Sequence, residues 1–246
     1  MKGTQVVLTV AEGKRLIAKG IAAWQPVRAA LASGIVAVAK GTTNAYIVEE
    51  LTRQSIEKRD YVTGNTRPAG GGTPGMVSAD LPDLVLRNGK RVEGAVTTEI
   101  VSEMRKGDVF LKGANAINCE RGQAGILIGH PTGGTVGAAL GSLVARRARL
   151  VVPTGLEKSV PSDLDEVAAH IRNVGVGPSL WVVPGDIFTE IEALRAVAKV
   201  EVRAVASGGI AGAEGAVRLL ITGRDEEVDK ATEVVESVKG EPPFIH

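Results

Sequence analysis

Five small apolar residues in a row, Ile35-Val36-Ala37-Val38-Ala39, pass straight into Lys40-Gly41-Thr42-Thr43-Asn44, and Ala45-Tyr46-Ile47-Val48-Glu49-Glu50-Leu51 follows at helical spacing. The pattern predicts a buried strand, a tight loop and a helix start. A helix N-terminus leaves backbone N–H groups unpaired at the positive end of the macrodipole, and Gly41 lets the backbone approach a ligand. With the hydroxyls of Thr42 and Thr43, the Asn44 amide and the Lys40 ammonium, the loop is an expected binding site for phosphate or carboxylate. The competing reading is that one of the threonines simply caps the helix.

Composition narrows the partners. The 246 residues carry 29 Lys plus Arg against 28 Asp plus Glu, so no field of one sign draws the chain to nucleic acid or a membrane surface, and a small anionic metabolite is the expected partner. Neither an export signal at the N-terminus nor an apolar run of about 18 residues is visible, and the expected location is the cytoplasm. The one cysteine, Cys119, excludes an internal disulfide and suits a reducing compartment. Lacking an obvious histidine partner, it is expected to be a buried spectator. No metal is expected, because no His/Cys/Asp cluster has ligand spacing, and no cofactor, because residues 134–141 lack the dinucleotide glycine pattern.

Thr9-Val10-Ala11-Glu12 has the form of a capping box, and Leu16, Ile17, Ile21, Val27, Ala30 and Leu31 recur at roughly helical spacing, with Pro26 dividing the run into two helices. The glycine-rich segment 61–76 is too long for an ordinary connector; it is a lid in which Arg67 clamps an anion, or an exposed loop. Asn88-Gly89 marks a hairpin tip over residues 84–92. A helix over 98–105 precedes the strand Asp108-Val109-Phe110-Leu111, which delivers Lys112-Gly113-Ala114-Asn115-Ala116-Ile117-Asn118 at a strand's carboxyl end, where open parallel sheets place ligands. A second glycine loop, containing His130, Gly133, Gly134 and Thr135, repeats the anion-cradle logic before an apolar helix. The basic Arg146-Arg147-Ala148-Arg149 ends that helix, and Leu150-Val151-Val152-Pro153 reads as a core strand.

From residue 178 the order strand, helix, strand, strand, helix, strand predicts a ferredoxin-like α+β unit over 178–246. Asp186 is its expected helix cap, and Pro242-Pro243-Phe244-Ile245 its last strand. Residues 1–177 form the other expected domain. Leu220 would face away from the unit's helices, so packing on the first domain or on a second copy is expected, and with it a homo-oligomer.

Residues 35–51 resemble the first strand, loop and helix of the superfamily of type A ribose-5-phosphate isomerases, glucosamine-6-phosphate deaminases and CoA-transferases, with Gly41-Thr42-Thr43 matching the shorter form of its phosphate loop. Residues 108–118 are similar to the isomerase strand that ends in Asp-Gly-Ala-Asp-Glu, written here Lys112-Gly113-Ala114-Asn115-Ala116. The likeness covers roughly the first 155 residues. It implies an α/β fold: a Rossmann-like, mostly parallel sheet with helices on both faces and a phosphorylated ligand. The isomerase carboxylates are replaced by Lys112, Asn115 and Ala116, which argues against identical isomerase chemistry.

The expected reacting groups are therefore Lys112, Asn115 and His130. Lys112 serves as a point charge or as a low-pKa amine, against the alternative of a solvated lysine. The expected ligand contacts are Lys40, Gly41, Thr42, Thr43, Asn44, Arg67, Gly113, Asn118, Gly133, Gly134 and Thr135. The expected function is binding of a small phosphorylated or anionic metabolite by an enzyme of unnamed reaction. The alternatives are a non-catalytic sensor and a CoA-transferase-like enzyme using Glu120 or Glu157.

Overall fold

The computed structural model describes residues 1–64, 66 and 78–244. Its central element is a six-stranded sheet in the order β10-β8-β5-β2-β3-β4. The members are β2 (Ile35–Val38), β3 (Leu84–Arg87), β4 (Lys90–Arg91), β5 (Val109–Leu111), β8 (Arg149–Pro153) and β10 (Asp186–Phe188). Strands β10, β8, β5 and β2 run parallel, and β3 and β4 continue the sheet antiparallel. Every residue of β2 and β5 is buried, as continuous apolar runs in a covered parallel sheet require. From β2 the chain goes to one side, through β3 and β4, and then crosses to the other, through β5, β8 and β10. The order thus reverses between β2 and β5, which pair directly from Val36–Val109 to Val38–Leu111.

Side chains fix that junction. Asp108, 3% exposed, accepts from the Ile35 N–H at 2.8 Å and the Arg105 N–H at 2.7 Å, tying the start of β2 to the approach to β5. At the other end, Asn44 Nδ2 donates to the carbonyls of Ala39 and Leu111. Between β2 and β3, the Tyr61 hydroxyl donates to Val38 O and accepts from the Leu84 N–H.

Two three-stranded antiparallel sheets complete the fold. One has the order β6-β7-β9, from β6 (Ala116–Asn118), β7 (Gln123–Ile128) and β9 (Ser179–Val183); the other has the order β1-β12-β11, from β1 (Lys2–Leu8), β11 (Val200–Ser207) and β12 (Val217–Gly223). Helices α1 (Val10–Ala23), α2 (Gln25–Ser33), α3 (Thr42–Thr52), α4 (Thr97–Ile100), α5 (Gly134–Arg146), α6 (Leu164–Val174), α7 (Glu190–Val197) and α8 (Asp225–Glu236) connect the strands. The Thr9–Glu12 capping box opens α1, and Pro26 lies in the first turn of α2. Asn88 and Gly89, at φ 50° and 73°, form the hairpin turn, the left-handed pair that a two-residue hairpin asks for. Arg15 on α1 pairs with Glu49 on α3 and with Glu241, and stacks on the Tyr46 ring.

The C-terminal segment departs from the sequence expectation. The strand at residues 179–183 pairs with β7, and the third strand of the terminal sheet is the N-terminal β1. Residues 178–246 therefore do not hold a sheet of their own. Asp186 does not cap a helix: it opens the edge strand β10, and α7 starts at Glu190 behind the cap Thr189, whose capping box with Glu192 is complete. A β-branched hydroxyl three residues before a glutamate satisfies two orphan donors at once, which outcompetes a lone aspartate. Residues 241–244 form no strand, and Phe244 packs on Tyr46 instead. The helix expected over 98–105 is the single turn α4. Leu220 is partly exposed and lies in register between Gln5 and Arg203.

Candidate anion-binding cleft

A cleft of about 700 Å³ opens at the carboxyl ends of β2 and β5, against β7 and the N-termini of α3 and α5. This is the position at which an open sheet with a strand-order reversal leaves space for a ligand. Helix α3 begins on Gly41, whose backbone carbonyl accepts from Ala45 and whose N–H donates to Tyr61 O at 3.0 Å. No side chain caps it, and among the described residues the N–H groups of Thr42, Thr43 and Asn44 have no partner. Helix α5 is built the same way: among the described residues it starts after Gly133 without a side-chain cap, and the N–H groups of Gly134, Thr135 and Val136 are unpaired. Two positive helix ends thus face one space.

The glycines of the second loop are sterically required. Gly133 adopts φ 83°, in the left-handed region that L side chains resist. A Cβ on Gly137 would lie 2.1 Å from Thr132 O. The loop can therefore fold tightly over the first turn of α5 only with glycine there.

Two buried polar atoms in the lining lack partners. Among the described residues, Thr43, 3% exposed, has an unpaired hydroxyl, and Asn44, 1% exposed, has an unpaired Oδ1. The Asn44 Nδ2 is spent on Ala39 and Leu111, so Oδ1 is left as an acceptor. Buried polar groups without partners destabilise a fold by about 1–3 kcal/mol each. Both residues line the cleft.

Lys112 follows β5 and reaches the cleft partly buried, with no carboxylate or hydrogen-bond partner for its ammonium among the described residues. Burial and the nearby Lys158 push its pKa down to about 8. Lys158 also lines the cleft; its Nζ donates to Ala114 O at 2.9 Å, and burial holds it below the usual lysine range against the opposing pull of Glu157. None of the described lining residues is acidic.

Of the residues anticipated from sequence, Gly41, Thr42, Thr43, Asn44, Lys112, Gly113, Asn115, His130, Gly133, Gly134 and Thr135 all line this cleft. Asn115 is also structural, since its Oδ1 accepts from the Leu127 N–H at 2.9 Å. His130 stands exposed at the rim, where its Nδ1 contacts Thr132 Oγ1 and accepts from the Thr132 N–H. Lys40 and Asn118 do not line it. The Lys40 ammonium donates to Ala79 O and lies 3.7 Å from Asp83, a local anchor stronger than a solvated cleft offers. Asn118 closes its own turn through Arg121 and holds the carbonyls of Pro161 and Ser162. Arg67 lies outside the described residues. Cys119 is exposed rather than buried, because it sits in the turn between β6 and β7.

Lys158 was visible in the sequence only as half of a Glu157-Lys158 pair; its signal was its place after β8, the next parallel strand beside β5. Behind it lies a buried charge cluster. Lys14 on α1 is 3.6 Å from Glu157, and Glu190, 2% exposed at the start of α7, accepts from the Leu156 N–H at 3.0 Å. Burial and then Glu157 raise Glu190 to about 7. Between its ordinary 4.5 and about 7, the folded protein keeps a proton that the unfolded chain has lost. The associated stability is fully present below the unfolded value and disappears as the pH rises through 7. Glu190→Gln is expected to flatten this slope and to raise stability near pH 8 by up to on the order of 3 kcal/mol, while changing little near pH 5, as read from urea unfolding at both values.

No family model, no curated protein and no solved structure matches this chain. A functional reading therefore rests on the chemistry of the cleft.

Proposed function

We propose that this protein binds a small phosphorylated, or otherwise anionic, metabolite in the cleft and acts on it as an enzyme. In this reading the six-stranded sheet is a Rossmann-like scaffold of the superfamily that the loop at residues 41–43 resembles. The β1-β12-β11 sheet with α1 and α8 is a ferredoxin-like unit assembled from both ends of the chain. The observation that carries the proposal is the convergence of two uncapped helix N-termini and an unpaired lysine on one space that no described acidic residue lines. The unpaired Thr43 hydroxyl supports it, because a ligand oxygen would accept its proton. A CoA-transferase-like reaction has less support: Glu120 is exposed and Glu157 is paired with Lys14, and neither lines the cleft.

The proposal is tested by thermal melting against matched pairs of sugars and small acids with and without phosphate. Phosphorylated members should raise the melting temperature in proportion to the logarithm of their concentration, and their partners should not. Equal responses within the pairs would reject phosphate recognition. Turnover of the stabilising compound then separates an enzyme from a sensor.

A further inference from the structure

We propose that the ligand is a phosphorylated aldehyde or ketone and that Lys112 captures its carbonyl carbon as an imine; this rests on the anion-binding reading above. The first support is position. Lys112 follows β5 and lines the same cleft as the N-termini of α3 and α5, so a phosphate held by either helix end shares that space with the amine. A second support is isolation: the buried Lys14 is paired with Glu157, whereas among the described residues Lys112 has no carboxylate to hold it as an ammonium. A lysine desolvated beside another cation is the arrangement that frees the amine for attack on carbonyls. Here Lys158 supplies that cation, fixed on Ala114 O.

The lining also disfavours the usual alternative. Moving a proton between carbons next to a carbonyl needs a positioned base, commonly a carboxylate or a histidine, and among the described residues the cleft offers no carboxylate for it. The imine step balances without any other reagent. The neutral ε-amine forms a C–N bond while the carbonyl π pair moves to oxygen, which takes a proton; loss of the amine proton and of water then leaves C=N.

The test uses the full chain, sodium borohydride, and either dihydroxyacetone phosphate or glycolaldehyde phosphate. Reduction of an imine adds the mass of the probe less one oxygen, and peptide mapping locates it. The expected result is saturable addition at Lys112, more than about tenfold above any other lysine, suppressed by excess inorganic phosphate and absent from Lys112→Arg. Addition spread over surface lysines, or confined to Lys158, would overturn the inference. If the probes and inorganic phosphate raise the melting temperature without labelling Lys112, the carbonyl assignment fails and anion binding stands. If neither raises it and nothing is labelled, both fail. Mapping the unmodified protein decides the matter even if Lys112→Arg does not fold.

Discussion

Gly20→Ala should lower the stability of this protein by about 3 kcal/mol or more, although alanine is the better helix former. Gly20 lies in α1 where it meets α7, and a Cβ added there would stand 2.4 Å from Ala193 Cα and 2.5 Å from Ala193 Cβ. Neither atom belongs to a side chain that can rotate away, so the helices must separate. That separation would disturb Ala193 and Leu194, both fully buried, and Glu190 one turn before them. A matched control is Gly141→Ala in α5, an exposed site where the new Cβ meets nothing within 4 Å. There the same change should stabilise by about 0.5–1 kcal/mol, from helix propensity alone. Denaturant unfolding of both variants reads the difference, and equal effects would refute the packing described.

Thr43→Val separates stability from binding. Valine keeps the β-branched shape and removes a buried hydroxyl that has no partner in the free protein. The fold should gain about 1 kcal/mol, because the desolvation penalty disappears with the hydroxyl. Under the proposed anion binding, phosphate affinity should fall about tenfold, since the hydroxyl would no longer donate to the ligand. Calorimetric titration and urea unfolding of one preparation give both numbers. A Thr43→Val protein that is less stable, with unchanged affinity, would show that the hydroxyl serves the fold.

The parts of the cleft that could be read from sequence were those built locally. Gly41-Thr42-Thr43-Asn44 and Gly133-Gly134-Thr135 each announce a helix start within a few residues, and Lys112 follows a short apolar run that reads as a strand. The parts that could not be read depend on distant pairing. Strand β1 opens with Lys2, Gly3, Thr4 and Gln5, and only its partnership with β12, more than two hundred residues away, makes it a strand. Strand β9 has the pattern of a strand but nothing that names β7 as its partner. Asp186 reads as the helix cap because Ile187 and Phe188 continue a helical spacing while serving as an edge strand, and the cap is Thr189 instead. Lys40 shows the opposite limit: a basic residue beside a phosphate-type loop was drawn away by Asp83 and a carbonyl of the neighbouring segment.

Locating an anion in the cleft tests the account most directly. Crystals soaked in tungstate, a heavy mimic of phosphate, would reveal it by anomalous scattering. The account predicts the ion within hydrogen-bonding distance of the N–H groups at residues 42–44 or 134–136, on the Lys112 side of the cleft, and displaced by phosphate. Tungstate bound elsewhere on the protein, with this cleft empty at concentrations at which phosphate raises the melting temperature, would contradict it.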